Sequence, residues 1–423
     1  GLDLVIVDHH QAEPALPEAV ATVNPNRLDE SGAYGHLAAV GVTFLLVVAL
    51  NRALRQAGAY TDAWPEPDLR GWLDLVALGT VADVVPLTGV NRTLVARGLA
   101  VAAKRRNPGL VALADVARLE EAPTPFHCGF VFGPRINAGG RIGRADMGAR
   151  LLTTDDREEA ARLARELDGL NAERKELENT ILSEAIAAID AGESSPGLVF
   201  AAGEGWHPGV IGIVASRLVE RYQRPAIVMG LDEQGNGQGS GRSVPGVDLG
   251  SAVIAARQAG VVHAGGGHAM AAGLACGRDG LADARAFLRE RLDRTFAENA
   301  AQPEVAVDAT LTPRAATGRM VRALERVGPF GTGNPEPRFA VGDARVVRAD
   351  VVGRDHVRCT LADDSGARLK AIAFRSAETA AGQALLTTRG GRVHLAGKLR
   401  MDSWAGGDAV QLIVDDVAAP NGG

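Results

Sequence analysis

The sequence is poor in the residues that mark several whole classes of protein. Cysteine occurs three times in 423 residues, at positions 128, 276 and 359, and never in a CxxC spacing. A disulfide scaffold, a thiolate zinc site and CxxC redox chemistry are thereby excluded, and a reducing, cytoplasmic compartment is expected. Long apolar runs are also missing. The longest, Ala38 to Leu50, is interrupted by Gly41 and Thr43 and falls short of the ~20 residues of a membrane span, so it predicts a buried helix and no membrane partner. No signal peptide is present, and the chain opens at Gly1 on a strand-like pattern and not at a Met, which predicts that its natural beginning is missing. Basic charge is not in excess: 45 Lys and Arg face 51 Asp and Glu, a net charge of -6. A uniformly basic nucleic-acid coat is excluded; a local basic groove is not. Lysine appears only at 104, 175, 370 and 398, a bias towards Arg that fits a GC-rich genome better than a selected phosphate site.

What is present is ordinary globular material, 46% hydrophobic and 23% charged, with length for roughly three domains at ~150 residues each. Leu4 to Val7 reads as a strand, and Trp72, Leu75, Val76 and Gly79 follow the i, i+3, i+4, i+7 spacing of a helix face. An α/β domain over residues 1–152 is predicted. Residues 155–190 hold no proline and carry Leu163, Leu167, Leu170, Leu177, Ile181 and Ala185 at helical spacing. With Asp155 and Glu158 as a capping box and Gly192 as a stop, they predict one connecting helix over 153–192. A second α/β domain is expected over 193–298, with strands Leu198 to Ala202 and Ala226 to Met229 around a helix opening at Pro208 and burying Ile211, Val214, Ala215, Leu218 and Tyr222. Ala297 to Glu304 reads as a linker. Short β patterns (Val357 to Leu361, Leu369 to Phe374, Val393 to Leu399, Val410 to Val414) then predict an OB-like barrel over 303–420.

Asp8-His9-His10 directly follows the first strand, where open α/β sheets form ligand sites. Three such groups in a row suit metal ligation or proton transfer better than a solvated turn, and a mixed imidazole and carboxylate set suits Mn2+ better than Ca2+. Asp83 closes an apolar helix; the helix C-terminus gives an anion no help, which favours a cation partner, although a lone Asp is more often an ordinary turn residue. The runs Gly265-Gly266-Gly267-His268-Ala269-Met270-Ala271-Ala272-Gly273 and Gly239-Ser240-Gly241-Arg242-Ser243 read as open backbone that approaches an anion, or equally as room for tight packing.

These motifs, in this order, resemble the DHH phosphoesterase family: Val5-Ile6-Val7-Asp8-His9-His10, Asn24-Pro25-Asn26, the stretch Trp72 to Val84, Gly133-Pro134-Arg135-Ile136-Asn137-Ala138-Gly139-Gly140-Arg141, and Pro329 to Pro337. The likeness runs through almost the whole chain and is greatest to the family's bacterial single-strand-specific 5′ to 3′ exonucleases. It implies a two-metal phosphodiesterase of DNA recombination and repair. His9 and Asp83 would be ligands of two divalent ions, Mn2+ or Mg2+. His10 would meet the scissile phosphate or assist proton transfer, and Asp8 would orient the histidines. In the family an Asp-x-Asp strand end and a further Asp precede the Asp-His-His motif; only Asp3 lies before it here, so weak or absent catalysis by this chain is expected.

The same resemblance makes 193–298 a DHH-associated domain that faces the metals across a cleft admitting one strand, with Arg242 and His268 as phosphate or nucleotide contacts and Ser240 in support. Arg135, Asn137 and Arg141 are expected on a glycine-broken loop suited to phosphate, against helix capping or surface charge. Trp206 and His207 precede a helix and could meet a base or a phosphate; core packing of Trp206 is as good a reading. Lys104-Arg105-Arg106 reads as a solvated helix end. Phe374, Arg375, Lys398, Arg400 and Trp404 supply the types that single-strand binding uses without locating a surface. The expected substrate is single-stranded DNA, with a single-strand-binding protein and a helicase as protein partners through the resemblance alone. Two alternatives stay open: a DHH phosphodiesterase of short oligonucleotides or cyclic dinucleotides, and a non-catalytic single-strand-binding scaffold.

Overall fold

The computed structural model of the chain describes residues 2–192, 195–299, 304–402 and 406–419. Two compact units are present: 1–106 with 119–131 and 305–423, and 107–118 with 132–304. In the first, β1 (Val5–Val7) pairs in parallel with β2 (Ala21–Val23), Val7 opposite Val23. Helices α1 (Ala39–Gln56), α2 (Leu73–Ala82) and α3 (Gly89–Ala102) follow. The expectation of a buried helix in a run too short for a membrane is corrected at α1: it has 18 residues, mean hydropathy 1.3, and is 17% buried, and among the described residues it is the one helix long and apolar enough to cross a membrane. Its polar end is tied down by Asn51, which donates to Glu66 at 2.8 Å and accepts from the Tyr60 hydroxyl. Helix α2 departs from the expected face as well. Trp72 lies before it and is 48% exposed, while Val76, Ala77 and Leu78 are buried. Gly98 of α3 packs so closely on α2 that a Cβ there would stand 2.0 Å from the Leu73 carbonyl oxygen.

The second unit opens with α4 (Pro108–Val116), α5 (Gly133–Ile142) and α6 (Met147–Thr153), all packed on the 35-residue α7 (Arg157–Ala191), which is about 50 Å long at ~1.5 Å per residue. The cap of α7 is Asp156, whose carboxylate accepts from the Glu158 and Glu159 N–H groups, and not Asp155 as expected; Gly192 ends it. The segment of Arg135, Asn137 and Arg141 is α5 itself, not a loop.

Strand β3 (Val199–Glu204), α8 (Pro208–Tyr222) and β4 (Ala226–Leu231) form a parallel crossover, extended by β5 (Asn236–Arg242). After α9 (Leu249–Gln258), the hairpin of β6 (Ala264–His268) and β7 (Ala271–Gly277) completes a five-stranded sheet in the order β3-β4-β5-β7-β6. Both glycine runs expected as open backbone are thus strands. Gly267, at φ +151, admits no Cβ, since one would stand 2.3 Å from the Ala271 carbonyl oxygen. The expected stripe of α8 is buried except for Tyr222, which is half-buried. Helix α10 (Leu281–Asn299) runs through the first three residues of the expected linker.

Back in the first unit, β8 (Ala309–Thr310), α11 (Gly318–Glu325), β9 (Phe339–Val352), β10 (His356–Ala362), β11 (Arg368–Ala373), α12 (Ala380–Thr387), β12 (Arg392–Met401) and β13 (Val410–Ala418) complete the chain. Strands β9-β10-β11-β13-β12 close on β9 into a five-stranded barrel. Its core holds Val341, Val357, Leu361, Leu369, Leu395 and Leu412. The Pro329 to Pro337 motif seats this region against the loop after α2: the Leu87 N–H donates to the Thr332 carbonyl at 2.7 Å, and Arg92 donates to the Val327 carbonyl. Trp404 lies outside the described residues.

Candidate active site and phosphate-binding face

The chain leaves β1 directly into Asp8-His9-His10, and the Asp8 carboxylate organises the turn. It accepts from the His9 N–H at 2.7 Å and the His10 N–H at 3.2 Å, and meets His10 Nδ1 at 2.7 Å. The His10 contact, with the backbone donors, holds the Asp8 carboxyl below its ordinary range against the opposing effect of burial. Asn24 and Asn26, at the end of β2, clamp the turn from outside by donating to the His10 and His9 carbonyls at 2.8 and 2.6 Å. This assigns a task to the Asn-Pro-Asn motif: it fixes the histidine backbone.

His9 Nε2 faces Asp83 Oδ2 at 3.4 Å. Asp83 is the C-cap residue of α2, with 39% of its side chain exposed, against 16% for His9. An imidazole nitrogen and a carboxylate oxygen this close, in a partly open setting, are groups that could hold a divalent ion. Asp8 and His10 are turned to one another beside it. Among the described residues no group of three or more His, Cys, Asp or Glu side chains forms a metal cage, so His9 and Asp83 are a two-donor set. Asp74, on the same helix, is a different kind of acid: it is 4% exposed, and desolvation raises its carboxyl.

In the second unit the sheet register puts Ser240 and Arg242 of β5, Gly273 and Ala271 of β7, and Gly266 and His268 of β6 on one face. The opposite face carries the buried Ala272, Leu274 and Cys276. On the first face the strands offer almost no side chain: nothing lies within 4 Å of a Cβ built at Gly266, and one at Gly273 would meet only the Gly239 carbonyl, at 3.9 Å. The result is a bare backbone floor, bordered by Arg242 and Ser240 on one side and the exposed His268 on the other.

Helix α8 stands beside Arg242, with Gly212 leaving room where a Cβ would be 2.9 Å from Ser240 Oγ and 3.2 Å from Arg242 Nη2. Arg242 donates to Ser240 Oγ at 3.1 Å and to the Gly241 carbonyl at 2.8 Å. His207 caps α8, its Nδ1 accepting from the Gly209 N–H at 3.1 Å, and Arg141 donates to the Gly209 carbonyl at 2.8 Å. Burial lowers the pKa of Arg242, and the Arg141 charge lowers it further; Arg141 is lowered by burial and then by Arg174. Neither guanidinium is ion-paired to a carboxylate among the described residues, although the Glu178 charge favours the charged form of Arg141, and the two could receive an anion.

The structure thus brings together Arg141, His207, Ser240, Arg242 and His268 around α8 and the bare floor. It separates Arg135, which is bound to Asp168 at 2.8 Å, and leaves Asn137 exposed on α5. Trp206 packs in the core, 7% exposed, with Nε1 donating to Glu184 at 2.7 Å.

The descriptions of known domains fit this division: residues 195–296 match the DHHA1 domain and 307–416 the RecJ OB domain. The single-stranded-DNA-specific exonuclease RecJ of Escherichia coli is 37% identical over 99% of this chain and 73% of its own length. The chain belongs to the RecJ family. The RecJ of Bacillus subtilis is 34% identical over 99% of this chain and 51% of its own. A crystal structure of Thermus thermophilus RecJ in complex with Mn2+ superimposes with a TM-score of 0.80 at 30% identity, over all of this chain and 59% of that one; RecJ of that organism is also known in complex with Mg2+. The chain therefore spans between about half and three-quarters of these RecJ proteins.

Proposed function

We propose that this chain carries the catalytic and substrate-holding parts of a single-stranded-DNA-specific exonuclease that releases nucleotides from the 5′ end. The observation that supports this best is the pair Arg141 and Arg242 beside a side-chain-free sheet face. A bare floor lets a phosphate backbone approach main-chain atoms, and two guanidinium groups without an ion-paired carboxylate among the described residues suit a terminal phosphate, which carries more charge than an internal one.

His9 and Asp83 would hold a divalent ion, Mn2+ or Mg2+. Such ions, when bound, supply a hydroxide-like nucleophile at neutral pH and neutralise charge on the phosphate. The chain's own residues do the rest. Asp8 keeps the His10 ring oriented by accepting from Nδ1, leaving Nε2 to take up a proton and, as imidazolium, to donate to a phosphate oxygen. Asn24 and Asn26 hold that turn fixed. Arg242, Ser240 and Arg141 bind the terminal phosphate, and His268 borders the strand. On the barrel, Arg348, Arg358, Lys370, His356 and Phe374 line a groove of about 660 Å³ together with Asp350 and Asp402, which pair with Arg348 and Lys370; Arg358 and Phe374 offer the cation and aromatic ring that single strands use. Phe374 lines this groove, whereas Arg375, Lys398 and Arg400 do not. A cytoplasmic site of action and cooperation with a single-strand-binding protein and a helicase belong to the same proposal.

The test is product analysis with a 3′-labelled, 5′-phosphorylated single strand, Mn2+ and protein of the relatives' full length, with a blunt duplex alongside. Progressive release of mononucleotides from the 5′ end of the single strand only is expected. Cleavage confined to very short oligonucleotides, or binding without release, overturns the reading.

A further inference from the structure

The buried side of α7 changes character along its length. Leu163 and Leu167 are buried at one end and Ile181 and Ala185 at the other, but the buried residues between them are Asn171, Arg174 and Glu178. Leu170 and Leu177, which the apolar spacing places on this stripe, are only half-buried. The Glu178 carboxylate accepts from Arg174 Nη1 at 2.8 Å through one oxygen and from Arg217 Nε of α8 at 3.2 Å through the other. Arg174 also donates to Asn171 Oδ1 at 3.1 Å, and its Nε has no hydrogen-bond partner among the described residues. Burying an ion pair in an apolar seam is commonly no better for stability than a hydrophobic isostere, so its place in the molecule calls for another reason.

That reason lies in what the bridge fastens. Glu178 fixes α8 on α7, and α8 is the element that receives Arg141 at its first turn and lies against Ser240 and Arg242 at Gly212. Glu178 accepts from Arg174 and Arg217 and forms no ion pair with Arg141, on which it acts only as a nearby charge. We infer that Glu178 is a positioning residue for capture of the terminal phosphate: by holding Arg217 it sets α8, the helix that receives Arg141 at its first turn and lies against Ser240 and Arg242. The inference rests on the terminal-phosphate reading above.

The experiment compares dissociation constants of 5′-phosphorylated and 5′-hydroxyl single strands for the wild-type chain, Glu178→Gln, Arg217→Ala and Arg242→Ala, with Glu220→Gln as control. Glu220 is the exposed second partner of Arg217. Glu178→Gln is expected to lower the preference for the phosphorylated end about tenfold, the scale of one lost charge-assisted hydrogen bond, with affinity for the hydroxyl strand unchanged. Arg217→Ala, which removes only the half-exposed arm of the bridge, is expected to lower it about threefold. Glu220→Gln should leave it as it is. A merely structural role would weaken both strands together and leave the ratio intact. If Glu178→Gln does not fold, Arg217→Ala decides alone, and a wild-type ratio in it overturns the inference. Loss of the preference in Arg242→Ala but in neither bridge variant overturns the inference and spares the phosphate reading. Equal binding of both strands by the wild-type chain overturns both.

Discussion

The Asp-His-His turn and the bare sheet face, both proposed to serve phosphate chemistry, are built in opposite ways. At the turn, function lies in side chains: one carboxylate spends its acceptors on His9 and His10, and a second, Asp83, stands 3.4 Å from His9. At the face, what is missing matters: glycines remove side chains from the floor, and among the described residues no carboxylate is ion-paired to Arg141 or Arg242. A site for cations concentrates acids and imidazole, while a site for an anion strips competitors away from its arginines. The two should fail differently when altered.

The sharpest break is expected at the turn. His9→Ala and Asp83→Ala should each reduce Mn2+-dependent nucleotide release by at least about a thousandfold, measured at saturating strand in protein of the relatives' full length, with strand affinity within about twofold of wild type. Normal rates in both would show that these are not the donors. Arg242→Ala should act on affinity: binding of a 5′-phosphorylated strand falls about thirtyfold, a loss of ~2 kcal/mol in charge-assisted hydrogen bonding, and a 5′-hydroxyl strand is held as before. Arg135→Ala sharpens the contrast within α5. Its partner is Asp168, so it should change that affinity by less than about twofold; a loss as large as that of Arg242→Ala would return Arg135 to the phosphate site.

The support of the face is tested by Gly203→Ala. A Cβ there would stand 2.1 Å from the buried Trp206 ring, next to the His207 cap of α8. Overpacking of this kind costs about 1–3 kcal/mol, visible as a lower unfolding midpoint in denaturant. The smallest effect is at Asp8. Its carboxyl is depressed in the folded chain, so the turn's contribution to stability is complete above the ordinary carboxylate value of 3.8 and is lost as pH falls through the lower folded value. Carbon-detected titration of the Asp8 carboxyl should place its midpoint below 3.8; a midpoint above it would remove the orienting role. The three thiols should be silent throughout: all are buried, with Cys128 and Cys359 pushed up to about 12, and thiol reagents at neutral pH should label none of them in the folded chain.

Much of this was legible in the residues. The turn could be read because chemically expensive side chains at a strand end are rare without a task, and the barrel because its alternation of apolar residues is regular. The glycine runs read equally as backbone open to an anion and as room for packing, and conceal their form: period-two patterns need side chains, and a strand made of glycine shows none, so β5 and β6 do not read as strands. Arg135 and Arg141 share one motif, and only the packing of α7 tells them apart, since Asp168 takes the first and, among the described residues, no carboxylate is ion-paired to the second. Asn171, Arg174 and Glu178 lay hidden in plain view. They occupy positions on the buried side of α7, and reading only the apolar members of that stripe passed over the polar interval that is its most informative feature.

The central claim is that the bare face and its arginines receive a strand's terminal phosphate. A crystal structure of the chain with a short 5′-phosphorylated single strand tests it most directly. The account predicts terminal phosphate oxygens within hydrogen-bond reach of Arg242 and Ser240, over the Gly266 and Gly273 backbone. A strand bound with that phosphate elsewhere, and Arg141 and Arg242 without contact to it, would contradict it.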